Sequence, residues 1–148
     1  MTREEKQLLL KDLCGRLPYG VKVRYATTTV DGIEVVNVAT LKMISTYFGE
    51  IIMSCHEGHE VRDIKMDGNV FKNIMPLLRP MSSMTEEEQR EFNAIPRTVT
   101  WEYADGLFTE IANNKQIDWL NAHHFDYRGL IEKNLALKAP EGMYVFIG

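Results

Sequence analysis

Two short runs hold the residue types that could do chemistry. Cys55-His56-Glu57-Gly58-His59 places a thiol and two imidazoles within five residues, and a Cys, His and His set binds zinc when a fourth ligand arrives from elsewhere. The second ligand pair that usually completes such a site at fixed spacing is missing, and Gly58 with its charged neighbours reads as a strand-to-strand loop. Cys55, His56 and His59 are therefore metal ligands only in outline, and no metal or other cofactor is expected.

The second run is His123-His124-x-Asp126. A carboxylate can hold an imidazole in one tautomer and so prepare a base. On a continuous helix, adjacent side chains diverge by about 100°, so the two rings would not meet one substrate. His124 would share a face with Ile117 and Leu120, and His123 one with Trp119. Ser82 and Ser83 lack a G-x-S-x-G or S-x-x-K context and read as the approach to a helix at Thr85. No glycine-rich phosphate loop, dinucleotide fingerprint or calcium loop is present. No catalytic residue is assigned.

The elements that must position these residues are legible from local signals. Thr2-Arg3-Glu4-Glu5 has capping-box spacing and predicts a helix from Arg3 to about Cys14, with Leu9, Leu10 and Leu13 inward and Gly15 and Pro18 as stop signals. Val21, Val23 and Tyr25 alternate with Lys22 and Arg24 as in a half-buried strand. Asp31-Gly32 suits a tight turn, so Ile33 to Val38 should pair back antiparallel. Tyr47 to Ser54 and Val61 to Met66 read as further strands, with Asp67-Gly68 turning into Val70 and Phe71. Pro76 and Pro80 lack the donor a ladder needs and should end regular pairing.

Thr85-Glu86-Glu87-Glu88 repeats the capping-box spacing, predicting a short helix to about Ala94. Residues 97 to 114 fit strand and helix equally. Lys115 to Phe125 has helical periodicity, a second helical stretch is expected from Tyr127 to about Leu135, and Ala139-Pro140-Glu141-Gly142 is a turn into an apolar tail. The fold class is α+β: a small antiparallel sheet or SH3-like barrel with an N-terminal helix, followed by a mainly helical part. The boundary falls near Pro80, giving a β-rich unit, 1–80, and an acidic helical extension, 81–148, that packs on it.

The chain has 148 residues, 45% of them hydrophobic and 26% charged, a globular composition that excludes disordered and fibrous classes. Residues 1–80 carry 11 Lys/Arg against 10 Asp/Glu, and residues 81–148 carry 6 against 11. An acidic second part repels phosphate, so nucleic-acid binding lacks support from charge. The apolar runs fall far short of the roughly 20 residues that span a bilayer. Two cysteines without paired spacing and the missing signal-peptide pattern fit reduced thiols in a cytoplasm.

L-L-R-P-M-S-S-M-T-E-E-E-Q (Leu77 to Gln89), W-L-N-A-H-H-F-D-Y-R-G-L-I-E-K (Trp119 to Lys133) followed by A-P-E-G-M-Y, and the opening Met1 to Cys14 resemble a family of short uncharacterised proteins of Bacteroides-type gut bacteria and their prophages and phages. The resemblance implies a phage or mobile-element setting and carries over no catalytic residue. The expected function is a non-enzymatic interaction or accessory protein with a protein partner, touching it through Trp119, His123, Phe125, Tyr127 and Arg128, residue types that dominate interface energies. The alternatives are a small metal-dependent or His-based hydrolase and a nucleic-acid-binding accessory protein.

Overall fold

The computed structural model describes residues 2–47, 50–57, 60–65, 71–96 and 107–144. Helix α1, Arg3–Arg16, opens on the expected capping box: Thr2 accepts from the Glu5 amide while the Glu5 carboxylate takes the Thr2 amide. The helix runs past Gly15, the anticipated stop. Gly15 serves instead as a point of close approach for Asn121, since a Cβ there would stand 3.1 Å from the Asn121 amide nitrogen. A one-turn 3-10 helix, Leu17–Tyr19, then turns the chain into the sheet.

Strands β1 (Lys22–Thr28) and β2 (Glu34–Tyr47) form the predicted antiparallel hairpin. At its turn Gly32 has φ +80, a left-handed conformation that favours glycine. β2 is paired with β3 (Glu50–Glu57), and β3 with β4 (Glu60–Lys65), all antiparallel. Asp67, Gly68 and Val70 lie outside the described residues. β5 (Phe71–Leu78) returns to pair with β1, and β6 (Leu137–Lys138) joins β5 in parallel. The order is β4-β3-β2-β1-β5-β6.

Two expectations are corrected here. Among the described residues the sheet is open, with β4 and β6 as its edges, and the closed SH3-like form is not built. The physical reason is that α1 and the C-terminal segment cover the buried face, so closure is not needed to bury it. Pairing also continues through Pro76, which registers with Val23. Pairing with the second neighbour, β6, begins only at Leu77 of β5, so the missing proline donor is not demanded on that side.

The core lies between α1 and one face of the sheet. Leu9 and Leu13 from α1 meet Val21, Val23, Tyr25, Ala39, Leu41, Ile74 and Leu78, and Leu130, Leu135 and Ala136 close it from the C-terminal part. Each large aliphatic side chain removed from water in this way contributes about 1.5–3 kcal/mol. Helix α2, Glu86–Asn93, starts at Thr85 with its own complete capping box. Helix α3 spans Leu107–Ala122, resolving the ambiguous segment as helix from Leu107 onward. No helix among the described residues is long and apolar enough to cross a membrane.

Candidate cleft at the end of the third helix

The expected helix through Phe125 stops at Ala122. The His124 amide bonds to Asn121 O at 3.1 Å and the Phe125 amide to Leu120 O at 3.0 Å, with His124 at φ 62. These are the two backbone bonds of a Schellman termination, and His124 occupies the left-handed slot usually filled by glycine. Histidine tolerates that conformation better than most residues. The adjacent histidines therefore leave a helix terminus in different directions, and the 100° relation expected on a continuous helix does not apply.

His124 is almost fully buried and stacks on Tyr144 with ring centroids 3.6 Å apart. Burial lowers its pKa to about 4, helped by the positive charges of Arg16 and Arg79 and by His123. His123 turns the other way, stacked at 4.0 Å on Trp119, with its Nδ1 2.9 Å from Trp119 O. A carbonyl can only accept, so the proton of the neutral ring sits on Nδ1.

Beyond the terminus, Phe125 makes a parallel bridge with Arg79. The Arg79 amide bonds to His124 O at 2.7 Å and the Asp126 amide to Arg79 O at 2.8 Å. This fixes the Arg79 guanidinium over the Phe125 ring at 4.2 Å, and Phe125 in turn stacks near Trp119 at 5.8 Å. Arg79 then grips Glu88 through two bonds of 2.7 and 2.8 Å. Glu88 is the capping-box residue of α2, so the bond that starts the helix also aims its carboxylate. The paired arginine, with Thr85 helping, holds Glu88 at a pKa of about 2. The Trp119 indole donates to Glu91 at 3.2 Å and its ring meets Phe92 at 5.4 Å, securing α2 against α3.

Of these residues, Arg79, Thr85, Glu88, Glu91, His123 and Tyr144 line a cleft of about 800 Å³. The lining also includes Lys138 at the end of β6 and the turn that follows it, Ala139 to Gly142. The Tyr144 hydroxyl donates to Leu77 O at 2.6 Å and accepts from the Lys22 amide at 3.0 Å, and burial pushes its pKa to about 12. Ser83 Oγ donates to Pro80 O at 2.6 Å, and Thr85 Oγ1 caps α2. All three hydroxyls lining the cleft are thus committed to holding backbone.

Of the sequence-derived contact residues, the structure gathers Trp119, His123 and Phe125 into one stack beside Arg79, with His123 on the cleft wall. Tyr127 and Arg128 belong to a second cluster. There Asp12 and Arg16, both fully buried, pair at 2.8 Å. Arg128 adds a 3.2 Å bond to Asp12, both guanidinium groups lie over the Tyr127 ring, and the Tyr127 hydroxyl donates to Asn121 at 3.0 Å. Burial raises the Tyr127 pKa. The helix expected from Tyr127 to Leu135 is a series of turns. Asp126 collects the amides of Leu130 and Ile131 at 2.8 and 3.0 Å, and Asn134 at φ 59 reverses the chain. Asp126 is a turn organiser here.

Cys55 and His56 occupy consecutive register positions of β3, opposite Leu41 and Thr40 of β2. His59 lies outside the described residues. Among the described residues no group of three His, Cys, Asp or Glu is placed to hold a metal ion. Sequence reasoning missed Arg79 and Tyr144 and saw Glu88 only as a helix cap. The capping-box spacing had marked Glu88, but its partner Arg79 carried no signal of its own.

An α+β sheet with a helix-bounded cleft is the class that fold and site define. No protein-family model, curated protein or solved structure matches this chain.

Proposed function

We propose that this chain is a non-enzymatic interaction protein, a cytoplasmic accessory of phage or mobile-element type, whose cleft receives a cationic segment of a protein partner. The observation that carries the reading is the commitment of Ser83, Thr85 and Tyr144 to backbone bonds, which leaves the cleft shaped for holding a ligand and not for attacking one. Charge supports the choice of partner. Glu87, Glu88, Glu91 and Glu141 line the cleft against Arg79 and Lys138. Arg79 is neutralised by Glu88, so carboxylate is in excess. Pro80, Ala139 and Pro140 give an apolar ledge on which the stem of a lysine or arginine lies while its head meets the acids. The phage setting rests on the resemblance of the three segments named above.

The test is a calorimetric titration of the full chain with short Lys/Arg-rich peptides and with neutral peptides of equal length. Selective binding of the basic peptides, weakened at least tenfold in Glu87→Lys/Glu141→Lys and by added salt, supports the reading. Equal affinity for neutral peptides, or no effect of the double substitution, overturns it.

A further inference from the structure

We propose that the face of β1 and β2 turned away from the core is a docking surface for a second copy of this chain. The register defines the face. Val23 pairs with Ala39, both buried in the core, so the alternate positions face outward. From the base of the hairpin to its tip these outward pairs are Lys22 with Thr40, Arg24 with Val38, Ala26 with Val36, and Thr28 with Glu34. Val36 is 48% and Val38 39% exposed, and beyond the β-bulge Met43 is 52% exposed. Val36 and Val38 follow one another on the outward side of β2, opposite Ala26 and Arg24, and with Met43 they form one apolar strip open to water.

What covers them follows from the order of charges. The face is cationic at one end (Lys22, Arg24), apolar in the middle and acidic at the other (Glu34, with Asp31 in the turn). Consecutive outward rows are about 6.6 Å apart along the strands, so Lys22 and Glu34 are too distant to pair within one chain. A two-fold axis lying in the interface and crossing the strands turns a second copy end for end. That operation sets the valines of the two copies against one another and brings Glu34 of each to the Lys22 end of the other. The same face is therefore complementary to itself in shape of hydropathy and in sign of charge. Packed sheets stand about 10 Å apart with strands nearly aligned, which this arrangement permits.

Size sets the strength. Two strands of this length present roughly 20 by 10 Å, well under the roughly 800 Å² per partner of a stable interface. The dimer is accordingly weak and concentration-dependent. It uses none of the cleft residues and stands independently of the reading above.

Sedimentation velocity of the full chain from about 1 μM to about 1 mM covers the range in which small interfaces dissociate. The expected result is a shift from monomer towards dimer across that range, abolished in Val36→Asp/Val38→Asp. Lys22→Glu alone and Glu34→Lys alone each weaken the dimer about three- to tenfold, as lost charge pairs of this kind do, and the combined Lys22→Glu/Glu34→Lys chain restores it. Circular dichroism shows that each variant is folded. The charge exchange, confined to exposed or half-exposed sites, decides the matter even if the aspartates disturb the hairpin. A monomer at every concentration, or a dimer that the exchanged pair does not restore, overturns the proposal.

Discussion

Arg16, in the last turn of α1, donates a 2.6 Å hydrogen bond to the carbonyl of Phe125, 109 residues further along the chain. The same guanidinium is held by Asp12 through bonds of 2.8 and 3.1 Å. A fully buried ion pair thus ties the first helix to the residue that bridges Arg79 and backs the cleft.

Removing one partner of that pair strands a charge in the interior. Asp12→Ala is expected to destabilise the fold by about 3–5 kcal/mol, the usual cost of breaking a buried pair, whereas Asp12→Ala/Arg16→Met should recover part of the loss. Urea unfolding of the two variants checks this, and equal stabilities would refute it.

Acid should weaken the fold in two stages. His124 is depressed from 6.5 to about 4, so between those values the unfolded chain takes up a proton that the folded chain refuses, and stability falls as pH drops. Glu88 is depressed from 4.5 to about 2. Its stabilisation is complete above 4.5 and is lost as pH falls towards 2. His124→Asn, which suits a left-handed position, should flatten the upper stage alone, and Arg79→Gln chiefly the lower stage, with a smaller relief of the upper one because Arg79 also lowers the His124 pKa. Thermal unfolding followed across pH 2–7 separates them.

Thr85→Ala should cost about 1 kcal/mol through the lost cap of α2. It should also raise the Glu88 pKa slightly, because the Thr85 hydroxyl contributes one of the bonds that lower it while the backbone amide bond remains. Chemical denaturation measures the first effect and carboxylate NMR titration the second. A stability loss with an unchanged titration would separate the cap from the Arg79 pair.

Asn134 is exposed and left-handed, with φ 59. Asn134→Gly should be close to neutral, and Asn134→Val should destabilise by about 1–2 kcal/mol, the penalty of that conformation for a residue with a branched Cβ. The difference between the two melting curves reads it directly.

The parts of this fold that were legible in advance are those governed by residues three or four apart. Thr2 with Glu5 and Thr85 with Glu88 announced α1 and α2, because a capping box is complete within one turn of chain. Alternation from Val21 to Tyr25 and the Asp31-Gly32 turn announced the hairpin for the same reason. The aromatic cluster of Trp119, His123 and Phe125 was also visible as a set of residue types, and Glu88 as a capping carboxylate.

The rest was decided only in three dimensions. Helix α3 ends at Ala122, with His124 in the left-handed slot and no glycine to signal it, because Phe125 is drawn into a bridge with Arg79. Gly15 reads as a stop and is instead a contact point for Asn121. Pro76 stays within a strand because pairing with the second neighbour begins one residue later, and Tyr144 reaches Leu77 across 67 residues. Each of these depends on a partner that sequence spacing does not bring near. Local chemistry specified where the elements begin, and the hydrogen bonds and ion pairs between distant segments specified where they end and what they enclose.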